Sequence, residues 1–300
     1  MVDLRKYKRK FANGSNNFYF EFDSINDFLK VAEIPKEENE LYNSLNTDVF
    51  QSHTNRYAFC GTDSFKEAVD LIKHGWDSGA EEIVKRCGNL STYQTKTVYR
   101  NKYDVVGGNA CVARYLQGVP TNMVRKVVVQ QKVKILNLYR SIAYSALVDK
   151  DRILDDAKIT AQIIYSLEAQ GYRCNLYVIN ATVEDENKIN SKWFVNKLKV
   201  KDASQPLNLK KIAFPLSHPS MLRRLIFRLI ELTCSRSFLT RGYGFPLGVT
   251  KLQNVTDVKE RSEIVKNLYK NIWEVKDTDI FIPTMLNSAE EFIDSVIVNR

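Results

Sequence analysis

The sequence predicts an α/β protein with a mostly parallel sheet flanked by helices, behind an N-terminal α+β accessory region. Three observations carry this expectation. A strand, a long amphipathic helix and a second strand follow one another between residues 133 and 179. Helical and β-rich runs keep alternating to the C-terminus. The 300 residues, 44% of them hydrophobic, suffice for one large domain or two modest ones.

Residues 1–58 are polar and Asn-rich, with Phe11, Phe18, Tyr19, Phe20 and Phe22 and an acidic patch at Glu37–Glu40, and they read as an irregular or short-stranded lead-in. From Phe59 the texture changes. Phe59-Cys60-Gly61-Thr62 reads as a strand end and turn, and Asp63 or Ser64 caps a helix that runs through Ile72 and stops at Gly75-Trp76. A second helix runs from Ser78 to about Cys87 and ends at Gly88. Residues 105–120 form a loop around a short helical turn. Gly107-Gly108-Asn109-Ala110 lacks the glycine spacing and the following lysine of a phosphate cradle.

Lys126–Val129 and Val133–Leu138 are β-rich. A helix then spans Asp151 to Gln170, with Leu154, Ala157, Ala161, Ile164 and Leu167 on one face and Gly171 closing it. Cys174–Ile179 returns as a strand, so the segment is a βαβ unit with parallel strands and a right-handed crossover. Trp193–Val200 is a strand whose Lys197, Lys199 and Lys201 alternate with Leu198 and Val200, the pattern of an edge or one solvated face. Leu209–Ala213 is a short helix, and Ser217-His218-Pro219-Ser220 opens another with Met221, Leu222, Leu225, Ile226, Leu229 and Ile230 as its apolar set. Lys259–Trp273, Asp279–Pro283 and Ser288–Val298 close the chain as helix, strand and helix.

The net charge of +9 is unevenly placed. Residues 83–148 hold eleven bases and one acid, and residues 192–241 hold eleven bases and two acids, while the three remaining segments are net acidic. Such segments face an anionic partner or are offset by acidic neighbours in the fold, and sequence leaves both open. Five widely spaced cysteines without a CxxC pair point to a reducing compartment rather than to disulfides or a zinc ribbon. No stretch is apolar enough to span a membrane and the basic N-terminus lacks the apolar run of a secretory signal, so a cytoplasmic location is expected.

Over roughly residues 125–300 the order of elements, with a polar turn after the first core strand and a strand in Gly171-Tyr172-Arg173-Cys174-Asn175-Leu176-Tyr177-Val178-Ile179, resembles a von Willebrand factor A-type domain, a Rossmann-like arrangement. The expected division is 1–122 as accessory region and 123–300 as the A-like domain. Phe59-Cys60-Gly61-Thr62-Asp63-Ser64, His74-Gly75-Trp76 and Ser217-His218-Pro219-Ser220-Met221-Leu222-Arg223-Arg224 are similar to segments of uncharacterised phage-encoded proteins, which implies a host-cell cytoplasm as the location. The A-type resemblance implies a divalent metal held by an Asp-x-Ser-x-Ser turn. The matching stretch, Asn137 to Ser145, has no aspartate two residues before Ser141, and Arg140 places a fixed positive charge where a cation would have to sit, so no metal and no cofactor are expected.

Arg140, Ser141 and Ser145 are candidates to meet an anion or a partner, and equally suit a turn that simply caps and solvates itself. Lys132 and Lys134, with Arg223, Arg224 and Arg228 on adjacent rows of one helix, are candidate phosphate contacts, though such rows also occur as solvated faces. Tyr93, Tyr99, Tyr103, Tyr115, Tyr139 and Tyr144 interleave with bases in the manner of a stacking surface for single strands, and half-buried strands look the same. His53, His74 and His218 share no tight ligand spacing with Cys60 or Cys87, and no phosphate loop or nucleophile elbow is present. The expectation is a non-enzymatic interaction protein with a protein or polyanionic partner; the alternative is a nucleic-acid-binding protein using segments 83–148 and 192–241.

Overall fold

The computed structural model describes residues 3–13, 17–34, 60–87, 99–128, 134–144, 148–185, 191–233, 243–247, 252 and 255–298. The main sheet contains β1 (Lys8–Arg9), β2 (Phe18–Phe22), β6 (Ile135–Ser141), β7 (Arg173–Val183), β8 (Trp193–Lys201), β9 (Phe245–Pro246) and β10 (Asp279–Ile282). Its order is β1-β2-β8-β7-β6-β10, with β9 paired to the end of β7. A second sheet, in the order β3-β5-β4, is made of β3 (Tyr99–Asp104), β4 (Asn109–Ala110) and β5 (Met123–Val128).

The helices are α1 (Ile25–Ala32), α2 (Phe65–His74), α3 (Asp77–Cys87), α4 (Val112–Leu116), α5 (Lys150–Ala169), α6 (Leu209–Ser217), α7 (Phe227–Thr233), α8 (Val258–Lys270) and α9 (Ala289–Phe292). Met221–Ile226 and Ile293–Val298 are π-helical segments that lead into α7 and out of α9. None of these helices is long and apolar enough to cross a membrane.

The expected βαβ unit is present. β6 and β7 are parallel from Ile135↔Arg173 to Ser141↔Ile179, joined through α5, and β10 lies parallel on the other side of β6. The sheet as a whole is mixed rather than mostly parallel: β7 and β8 are antiparallel, β2 is parallel to β8, and β1 is antiparallel to β2. The β7–β8 connection spans only residues 184–192, too short for the crossover that a parallel neighbour needs.

The alternation of side chains builds two cores. Leu138, Val178, Leu198, Ile280 and Phe22 face α1, α2, α3, α5, α6 and α7, while Tyr139, Ile179, Val195, Phe281 and Tyr19 face α8 and Trp273. Burial on both faces explains why β7 is apolar at almost every position instead of alternating with polar residues.

The short-stranded lead-in joins the main sheet, and β8 departs from the edge position expected of it. The lead-in supplies two strands of the main sheet and α1, whose N-cap Ser24 accepts from the Asp27 amide. β8 is internal rather than an edge, flanked by β2 and β7. Its lysines survive inside because each finds an acid. Lys197, 7% exposed, pairs with Glu21, and its ammonium sits 5.1 Å from the Trp273 ring and 5.4 Å from that of Tyr177. Val200 is the extra residue of a bulge, since Lys199 opposes Tyr177 and Lys201 opposes Leu176. The bulge turns Lys201 to the helix side, where Glu168 of α5 lies 2.6 Å away and the Cys174 carbonyl accepts at 3.0 Å. Finally, the 122/123 position falls inside the small sheet's connections, where Cys111 donates to the Asn122 carbonyl beside the β4–β5 pairing.

Candidate functional site

Two places concentrate polar chemistry. The first is the carboxyl end of β6, where the connections to β7 and β10 leave in opposite directions. In open α/β sheets this switch point is the usual ligand crevice. Here the chain's own ions fill it. Arg140, 1% exposed, forms a 2.6 Å ion pair with Asp156 of α5, donates to the Tyr144 hydroxyl at 2.9 Å and donates to the Pro283 carbonyl. Burial works against the guanidinium's charge, and the Asp156 carboxylate beside it outweighs that, holding its pKa above the ordinary range. Asp156 also accepts from the Met285 amide, at a residue whose φ is +61°, and from the Tyr144 hydroxyl. Arg152 donates to the Leu286 carbonyl and Arg261 to the Thr284 and Met285 carbonyls, so three guanidiniums hold the loop that seals the crevice. This donor set does not suit a divalent cation, because its one carboxylate is already held by Arg140. Among the described residues no cluster of three or more His, Cys, Asp or Glu side chains is placed to hold a metal.

The second place is the small sheet. None of residues 99–127 is buried or belongs to either core, and among the described residues no hydrogen bond or ion pair ties residues 99–128 to the rest of the chain. Gly107 lets the turn close on β5, since a Cβ there would lie 2.4 Å from the Val124 carbonyl oxygen. Strand alternation sorts the side chains onto two faces. Tyr99, Asn101 and Tyr103 of β3 share one face with Val124 and Lys126 of β5. Arg100, Lys102 and Asp104 share the other with Arg125 and Met123. Tyr99 is 58% and Tyr103 47% exposed, and the Arg114 guanidinium lies 4.3 Å above the Tyr103 ring. On the opposite face Lys102 stands directly across from Arg125, and among the described residues only Asp104, 3.8 Å from Arg125, offsets them.

The other sequence candidates are dispersed. Ser141 lies half-buried at the end of β6 and Lys134 is exposed at its far end. Arg224 donates to the hydroxyl and carbonyl of Thr62 at 2.7 and 2.5 Å. Arg228, 7% exposed, donates to the Ile34 carbonyl and pairs with Glu231. Arg223 is half-buried near Cys60, and burial lowers its pKa. Lys132 and Ser145 lie outside the described residues. Three bases of 192–241, Lys197, Lys201 and Arg228, therefore serve as internal counter-ions, while Lys210 pairs with Asp77 at the surface. Of the interleaved set, Tyr93 lies outside the described residues, Tyr139 is in the core and Tyr144 is tied to Arg140, while Tyr99, Tyr103 and Tyr115 are exposed.

Residues 60–64, 74–76 and 217–224 meet in space. Ser220 donates to the Cys60 carbonyl at 2.5 Å and lies 2.7 Å from the Thr62 hydroxyl. His218 packs edge-on to Trp76 and stacked on Phe214, and its Nδ1 accepts from the Ser220 amide. Gly61, at φ +77°, passes so close that a Cβ would lie 3.1 Å from the imidazole. Burial pushes the His218 pKa down to about 4. These contacts are those of a packed junction.

The molecule is thus a mixed-sheet α/β protein whose crevice is closed by its own ion network and whose basic, aromatic small sheet stands open. Residues 6–293 match a family described as "Domain of unknown function (DUF7192)", and the chain belongs to that family. No curated protein and no solved structure matches the chain.

Proposed function

We propose that this chain is a non-enzymatic interaction protein that binds a polyanionic partner through the small sheet of residues 99–128. The observation that carries this reading is the like-charged cross-strand pair Lys102–Arg125, with Arg100 diagonal to Arg125 on the same face. Directly opposed like charges on a sheet destabilise it, by about 0.2–1 kcal/mol on the scale of such pairs. An anion lying over that face removes the repulsion. The segment carries five bases against one acid, and Arg100, Lys102 and Lys126 have no ion-pair partner among the described residues. Exposed Val105, Val106, Val112 and Leu116 add an apolar rim of the kind that marks interaction sites.

A von Willebrand A-like, Rossmann-like main sheet is supported by the parallel β6–β7 and β6–β10 pairs and the α5 crossover. Phage origin and a location in the host cytoplasm rest on the three converging strings. The main sheet acts as a scaffold, with Arg140 serving its integrity and the small sheet carrying recognition.

The test is retention on immobilised heparin. The wild type elutes well above 0.15 M salt, and Arg100→Glu/Lys102→Glu elutes near the void. Equal retention of the two proteins would refute the assignment to this sheet.

A further inference from the structure

Resting on the polyanion reading, we infer that the partner of the small sheet is single-stranded nucleic acid. β3 is the outer strand in the order β3-β5-β4, so one of its edges is unpaired among the described residues. Along it Tyr99, Arg100, Asn101, Lys102 and Tyr103 send side chains alternately to two faces. An extended strand following this edge places bases on the tyrosine face and phosphates beside Arg100 and Lys102.

The aromatic chemistry selects the class. An acidic peptide or a sulfated sugar uses the cations and has no planar group for the tyrosines, and a duplex keeps its bases stacked inside. Unpaired bases stack on aromatic rings whatever their sequence. Tyr103 is already held by the Arg114 guanidinium at 4.3 Å, which fixes its orientation, and Lys126 stands on the same face. Asn101, directly across from Lys126, supplies an amide for base edges between the two rings.

Fluorescence anisotropy of the full chain tests this. The probes are a labelled 20-nucleotide single strand and the duplex of the same sequence, at 0.05 M and 0.15 M salt, with heparin and polyglutamate as unlabelled competitors. The single strand binds at least tenfold more tightly than the duplex. Tyr99→Ala and Tyr103→Ala each weaken it by about tenfold, while Tyr99→Phe and Tyr103→Phe keep the stacking ring and bind as wild type. Neither side chain enters a core, and urea unfolding of each variant checks that the fold is kept. Equal binding of duplex and single strand, indifference to the alanine variants, or stronger competition by polyglutamate than by unlabelled single strand overturns this inference and leaves the polyanion reading standing. Absence of binding to both probes overturns this inference, and overturns the polyanion reading as well when the chain is not retained on heparin.

Discussion

The ion pair between Arg140 and Asp156 closes the crevice at the end of β6, and Asp156→Asn tests that role. Their side chains are 2% and 0% exposed and 2.6 Å apart, so the substitution leaves a guanidinium charge in the interior with no water to solvate it. The Asn carbonyl still accepts from the Met285 amide, so the loss falls on the charge itself. Removing one partner of such a pair costs about 3–5 kcal/mol. Arg140→Met/Asp156→Leu leaves no unpaired buried charge and returns part of that stability, the remainder being the cost of the Met285 amide, Tyr144 hydroxyl and Pro283 carbonyl that lose these partners. The assay is urea unfolding followed by tryptophan fluorescence, with Trp76 packed against one core and Trp273 inside the other. A cost below about 1 kcal/mol for Asp156→Asn, or a double variant as unstable as the single one, would refute the reasoning.

His218 makes stability fall with acid. Its ordinary value is 6.5 and its native value about 4, so the unfolded chain takes up a proton that the native state refuses. Stability is full above pH 6.5 and is lost as pH falls toward 4, by about 2 kcal/mol at pH 5 relative to pH 7; His218→Asn flattens this slope in urea unfolding at the two pH values, and an unchanged slope would contradict the assignment. Asn180 and Asn196 are an in-register pair, both fully buried, and none of their four amide atoms has a hydrogen-bond partner. Asn180→Leu/Asn196→Leu therefore matches or exceeds wild-type stability in thermal unfolding, and a loss of more than about 2 kcal/mol would mean that the amides are satisfied in solution.

The βαβ unit was legible because its signals are local: a 3.6-residue stripe on α5, a glycine after it and β-branched runs on both sides. Ser64 was legible as a cap for the same reason, its hydroxyl accepting from the Glu67 amide three residues on. What sequence hid was pairing at long range. Lys197, Lys199 and Lys201 look solvated until Glu21 and Glu168 arrive from 176 and 33 residues away, the second after a bulge that no local pattern announces. Part of the +9 of residues 192–241 is likewise matched from far along the chain, since Lys197, Lys201 and Lys210 pair with Glu21, Glu168 and Asp77. The small sheet was half legible. The interleaving of tyrosines with bases was visible in 93–144, but only strand register separates Tyr99 and Tyr103, which face solvent, from Tyr139, which faces Trp273.

The most direct test of the central claim is the slope of log K against log salt for binding to a polyanionic single strand, measured for wild type and for Lys102→Ala/Arg125→Ala. Each neutralised phosphate contributes about −0.7 to the slope for single strands. The account predicts a wild-type slope of about −2 to −3 that shrinks by about 1.4 when the two opposed cations are removed. A slope unchanged by that double substitution would contradict it.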